Sequence, residues 1–280
     1  MAVVIHNMSE SDLPFCLSLS REMQWPHRSE DWQQASELGK GVIASLNGRA
    51  AGTGMVWNWG PHLSNIGLVI VSSEFQRCGI GKEIVSALVN KATSPVIRLC
   101  ATRAGEPLYR ASDFRPVGIC RQFQTRALIP AFTVSSSVRL ATINDLDMLV
   151  ELDKRATLGA DRRCLISTLL QNAKIAVLQD LRERISGYAA CRRFGRGYVI
   201  GPIICNHTEA AKALVSWFSV SLAGQFVRID CPGSVDPHFF SWLQQSGMNE
   251  VDSPIMMEKG QSVTPYTDTT ILGFASQAMG

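Results

Sequence analysis

The stretch that most constrains these 280 residues is Gln76-Arg77-Cys78-Gly79-Ile80-Gly81, a two-glycine turn between a β-type run and a helical pattern. Upstream, Ile66-Gly67-Leu68-Val69-Ile70-Val71 is short, apolar and β-branched, which predicts a buried strand. Downstream, Ile80, Ile84 and Leu88 recur every fourth residue with Val85 and Val89 beside them, which predicts an amphipathic helix. A strand that enters a helix through such a turn leaves the first helical N–H groups unpaired at the positive end of the helix dipole. With no side chains at Gly79 and Gly81, a phosphate can approach the amides of Cys78 through Lys82, and Arg77 and Lys82 add charge. A plain tight turn is the competing reading. A dinucleotide fingerprint is not matched, because it needs a third glycine and a later acidic residue.

Composition narrows the class. At 46% apolar and 18% charged, the chain reads as a globular protein of one large or two modest domains. The net charge of +3 is too small for a nucleic-acid footprint, and its only basic cluster, Arg192-Arg193 with Arg196, reads as a solvated hairpin. No apolar run approaches the roughly 20 residues of a membrane span, and the N-terminus carries no secretory pattern. Eight cysteines without a framework, several inside apolar runs, predict reduced core residues of a cytoplasmic protein. With no C-x-x-C pair and five scattered histidines, no metal site is expected.

Along the chain, Val3-Val4-Ile5 predicts a strand and Ser9 to Asp12 cap a helix reaching about Met23. Trp25-Pro26-His27-Arg28-Ser29-Glu30-Asp31-Trp32 reads as an interhelical loop with Trp32 tucked beneath it. Residues 40–46 and 50–59 form two strands around an Asn47-Gly48 turn. Strand 95–100, a short helix over 106–112 carrying Tyr109, and a strand ending near Thr125 complete the first part. The stretch around Pro130 and three serines reads as a linker, after which the strand-then-capped-helix opening repeats at Val138 to Asp147.

Gln76-x-x-Gly79-x-Gly81 in this setting resembles the coenzyme A pyrophosphate loop of the GNAT superfamily of acyltransferases. The element order β, α, α, β, β, β, α, β, α, β over residues 1–130 is similar to that of a GNAT domain. Leu108-Tyr109-Arg110-Ala111-Ser112-Asp113-Phe114 resembles the family's Leu-Tyr-x-x-x-Gly-Phe segment, with Asp113 in place of glycine. The Trp25–Trp32 segment resembles a loop of tandem GNAT proteins, and the second half resembles their degenerate C-terminal domain through Leu158 to Arg162 and Ile200-Gly201-Pro202. There the glycine loop is replaced by Cys205-Asn206-His207-Thr208-Glu209, so one cofactor site is expected. The resemblance implies an α/β fold, an α+β mixed sheet in two tandem acyl-CoA N-acyltransferase domains. Expected boundaries are a catalytic domain over 1–130, a linker over 131–137, a degenerate domain over 138–260, and a tail over 261–280 ordered only if Ile271, Leu272 and Phe274 dock it.

The implied chemistry is transfer of acetyl from acetyl-CoA to a primary amine of a small molecule, without metal. Val69 and Val71 would bond the pantetheine, Gln76 to Lys82 would hold the pyrophosphate, and Tyr109 would act as acid toward the leaving thiolate. His27, Asp31 and Asp161 are candidate bases. The acceptor pocket is expected between the halves, lined by Trp25, His27, Arg28, Asp31, Trp32 and Trp57 and by Asp161 from the second half. A plain aromatic core is the competing account. A non-catalytic coenzyme A- or small-ligand-binding protein is the alternative function, and the oligomeric state stays open.

Overall fold

The computed structural model describes residues 3–126, 128–129, 135, 137–180, 182, 184–261 and 268–280. The first half contains β1 (Val3–Asn7), α1 (Leu13–Glu22), α2 (Ser29–Leu38), β2 (Lys40–Leu46), β3 (Arg49–Trp59), β4 (Leu63–Val71), α3 (Ile80–Lys91), β5 (Ile97–Ala101), α4 (Glu106–Arg110) and β6 (Arg115–Thr125). The second contains β7 (Val138–Leu140), α5 (Leu146–Ala156), α6 (Arg163–Asn172), β8 (Lys174–Gln179), β9 (Ile185–Phe194), β10 (Gly197–Cys205), α7 (Thr208–Ser221), β11 (Val227–Pro232), α8 (Pro237–Gln245), β12 (Asn249–Asp252), β13 (Ile255–Lys259) and β14 (Thr270–Gly273). The expected linker, 131–137, lies largely outside the described residues. No helix among the described residues is long and apolar enough to cross a membrane.

Each half is a mixed sheet with helices packed on it. Asn47 and Gly48 both take positive φ and close the β2–β3 hairpin. Ile80, Ile84, Val85 and Leu88 form the buried stripe of α3. The 25–32 segment differs from the expected loop, because α2 begins at Ser29. Asp31 accepts the Arg28 N–H at 2.9 Å and so caps the first turn, placing Trp32 on the buried face of the helix.

Strand order shows how the halves are joined: β1-β2-β3-β4-β5-β13-β6-β11-β10-β9-β8-β7. Strand β13, from the second half, lies antiparallel between β5 and β6, with Met257 opposite Leu99 on one side and Pro116 on the other. The far end of β6 pairs with β11 and β12. One hydrophobic cluster runs across the boundary, joining Trp32, Trp57 and Trp59 to Leu149, Leu165 and Tyr188. The tail meets the condition set for its order through Leu272 and Phe274: β14 pairs with β10, and both residues are buried.

Candidate active site

The turn before α3 has the conformation that its glycine permits. Gly79 caps the helix at φ 80°, and a Cβ built there meets no atom of the described residues within 4 Å. The first intrahelical bonds run from the Lys82 and Glu83 N–H groups to the Gly79 carbonyl, at 3.1 and 3.3 Å. The amide of Lys82 is therefore already engaged, unlike those of Ile80 and Gly81, which precede it. Arg77, Cys78 and Lys82 are exposed, and the Gln76 amide reaches back to the Val71 carbonyl at 3.4 Å.

Beside the loop the sheet opens. Strands β4 and β5 pair in parallel only at Ser64↔Ile97 and Asn65↔Arg98. From there to Val71, β4 keeps β3 on one side and, among the described residues, has no strand on the other. The resulting wedge, with Val69 and Val71 on its β4 edge, points toward the start of α3.

Tyr109 is buried in the core cluster that holds Leu99 and Ala101 of β5. Its ring meets Phe114 edge-on at 6.0 Å, and the Cε2 edge lies 3.2 Å from a Cβ built on Gly105. Burial, with a smaller contribution from Cys100, raises the phenol well above its usual range, so it remains protonated. Tyr109 does not line the adjoining cavity, whereas Cys100 and Thr102 do.

That cavity, about 300 Å³, lies between the halves. Trp25, His27, Asp31 and Trp57 form part of its wall, as do Leu68 and Cys100 at the wedge. The second half contributes Arg192, Phe194, Arg196, Phe226 and Arg228, and Ser276 to Met279 close one side. The tail can approach because Gly67 has no side chain: a Cβ there would sit 2.8 Å from that of Ala278.

His27 is enclosed by Trp25, Trp32 and Phe194, at ring distances of 5.9, 6.2 and 5.4 Å. Its Nδ1 has no hydrogen-bond partner among the described residues. Burial lowers its pKa to about 4; Asp31 opposes that shift, while Arg228 and Arg192 add to it. The imidazole is therefore neutral at pH 7.

Asp31 faces a different set of groups. Burial alone would raise its pKa, but bonds from the Arg28 guanidinium (2.8 Å) and the N–H groups of Arg28 and Gly195 (both 2.9 Å) outweigh burial and hold it below the usual carboxylate range. Since Gly195 belongs to the second half, this carboxylate bolts the halves together. Asp31→Asn is expected to lower the midpoint of thermal unfolding by several degrees, as seen by calorimetry, because a carboxylate accepting charge-assisted bonds is replaced by a neutral amide.

Three expected acceptor residues stand elsewhere. Trp32 is in the core, with Nε1 bonded to Ser20 Oγ at 2.9 Å. Arg28 is spent on Asp31 and the Arg193 carbonyl and does not line the cavity. Asp161 is exposed and also outside the cavity: its N–H donates to the Trp59 carbonyl at 3.0 Å, and its carboxylate turns back to the Arg163 N–H at 3.1 Å. Trp25, His27, Asp31 and Trp57 are brought together.

Residues 5–111 match the model of the acetyltransferase (GNAT) family, and residues 149–273 match that of an acetyltransferase (GNAT) domain. The chain belongs to the GNAT acetyltransferases. It carries two GNAT domains and is an N-acetyltransferase. The N-acetyltransferase YitH of Bacillus subtilis (strain 168), itself uncharacterized, is 27% identical over 222 residues, 78% of this chain and 77% of that one. The crystal structure of a candidate acetyltransferase from Pyrococcus horikoshii superposes with a TM-score of 0.83 at 21% identity, covering 99% of this chain and 96% of that one. A tandem GNAT protein from the clavulanic acid biosynthesis pathway superposes with a TM-score of 0.65 at 12% identity, covering 94% and 100% of the two chains. These two likenesses concern the GNAT fold.

The sequence reading missed Arg192, Phe194, Arg228 and the 276–279 wall of this GNAT site. Arg192 was visible as part of a basic cluster, but a hairpin pattern does not reveal that one of its arginines is buried against another domain.

Proposed function

We propose that the protein transfers acetyl from acetyl-CoA to the primary amine of a small molecule held in the interdomain cavity. The observation that carries this reading is the continuity of three features: an open helix N-terminus, a splayed wedge leading from it, and a cavity at the other end of the wedge. The residues fit the donor. The N–H groups of Ile80 and Gly81 would hold its pyrophosphate beside Arg77 and Lys82, and the unpaired edge at Val69 and Val71 offers backbone groups to its amides. When bound there, the donor supplies an activated thioester.

The chain's own part is alignment and proton handling. An amine of pKa about 10.4 is about one part in 10³ neutral at pH 7, so its proton must be accepted. Among the candidate bases, His27 alone lines the cavity with a free ring nitrogen. With a pKa near 4 it can accept a hydrogen bond from the ammonium but does not retain the proton, which passes on to water. Tyr109, more weakly acidic than an ordinary phenol, acts chiefly by donating a hydrogen bond to the sulfur as negative charge develops.

Tyr109→Phe is therefore expected to lower kcat about tenfold while the KM for acetyl-CoA changes less than twofold. Unchanged turnover with chemistry rate-limiting removes Tyr109 from the mechanism. The function itself is tested by thiol release from acetyl-CoA with a panel of primary amines. Binding of acetyl-CoA without release for any amine of the panel would exclude a small-molecule primary amine as the acceptor.

A further inference from the structure

We propose that Arg192 binds a carboxylate of the acceptor, so that the acceptor is an amine that also carries one acidic group, as an amino acid does. This inference rests on the acceptor-site reading of the same cavity. It starts from a charge with no counterion. Arg192 is 5% exposed and makes no salt bridge among the described residues. Its Nη2 donates to the Ala275 carbonyl at 3.2 Å and its Nη1 to the Arg193 carbonyl at 3.5 Å, while Nε has no hydrogen-bond partner among the described residues.

A guanidinium withdrawn from water and given only two carbonyls and the face of Phe194, 4.8 Å from the ring centroid, is costly while it lacks an anionic partner. The cost is visible in its acidity: burial lowers its pKa to about 10, with Asp31 opposing that shift and Arg28 and Arg228 adding to it. The neighbouring charges are already matched. Arg228 is held by Asp230 at 2.9 Å and Asp31 by Arg28 at 2.8 Å. Arg196 and Asp252 lie exposed at the cavity wall and offset one another in sign.

Three arginines and two aspartates thus line the cavity beside a neutral histidine, leaving one positive charge. A monoanion balances it. Trp25, Trp57, Phe194 and Phe226 make much of the remaining wall apolar, which suits an amino acid with a large apolar side chain. Arg192 then orients the acceptor by its acid end, leaving the amine for the wedge.

Binding is tested first, on the full chain. Millimolar phenylacetate is expected to raise the thermal midpoint of the wild type, and its neutral isostere phenylacetamide is not. Arg192→Met should abolish the rise, and without ligand its own midpoint should equal or exceed that of the wild type, because an unpaired buried charge is removed. Arg192→Lys should retain part of the rise. No rise in the wild type, an equal rise with phenylacetamide, an undiminished rise in a folded Arg192→Met variant, or tighter binding of phenyl phosphate overturns the proposal. Should the variant not fold, the acid-against-amide comparison in the wild type decides alone.

Turnover is compared next, using the twenty amino acids and their amides with acetyl-CoA. The acids are expected to show kcat/KM at least tenfold above the amides, a preference lost in Arg192→Met. Equal or better amides overturn the proposal. Specific phenylacetate binding with no thiol release from any amine would instead sink the reading of a small-molecule primary amine as acceptor and leave the carboxylate site standing.

Discussion

Gly79→Asn is expected to weaken acetyl-CoA binding about a hundredfold while lowering the thermal midpoint by only a few degrees. Asparagine is among the residues that best tolerate the left-handed conformation Gly79 adopts, so the turn survives. The new side chain finds no atom of the described residues within 4 Å of its Cβ. It enters the space in front of the Ile80 and Gly81 amides instead. Charge-assisted bonds from such amides contribute about 1.5–3 kcal/mol each, and losing one or two of them amounts to roughly two decades of affinity. Gly81 is the less sensitive position. A Cβ there meets Leu108 Cδ2 at 3.0 Å, the far end of a side chain that can swing away. Calorimetry with acetyl-CoA makes the comparison, and full affinity in a folded Gly79→Asn protein would exclude the loop as the donor site.

What could be read from the amino acids was what is local. The 76–82 loop declares itself because a turn, a strand end and a helix start are each specified within a few residues, and the Asn47-Gly48 hairpin is legible for the same reason. The boundary at Ser29 was missed because Arg28 is not a usual capping residue, and it is Asp31 that closes the turn. The fate of Asp161 depended on a backbone bond to Trp59 about a hundred residues away, and that of Arg192 on a domain boundary crossing its hairpin. Neither leaves a trace in periodicity. Trp57 and Trp59 share one strand face, as alternation requires, yet one lines the cavity and the other donates from Nε1 to Asn65 Oδ1 at 3.0 Å within the core. Face can be predicted from sequence, but neighbours across a domain interface cannot.

The exchange of β13 gives the largest expected effect. A chain ending at residue 130 should not fold, although it contains the whole donor loop and all of β1 to β6. Without β13 the edges of β5 and β6 face a gap the width of a strand, with their backbone groups unpaired and Met257 missing from the core beside Leu99. Arg98, 17% exposed, would lose Glu258, which accepts from its Nε at 2.7 Å, leaving a largely buried charge uncompensated. Trp57 and Trp59 would lose the second-half members of their shared cluster. Each loss is of the order of a few kcal/mol, and together they match or exceed the 5–15 kcal/mol that stabilises a typical domain. Residues 1–130 expressed alone are therefore expected to give a disordered circular dichroism spectrum and no cooperative melt, and to recover acetyl-CoA binding when co-expressed with residues 131–280. A 1–130 fragment that melts cooperatively and binds acetyl-CoA as the full chain does would show that the first half closes its own sheet. The second half would then be a separable neighbour instead of the source of its missing strand.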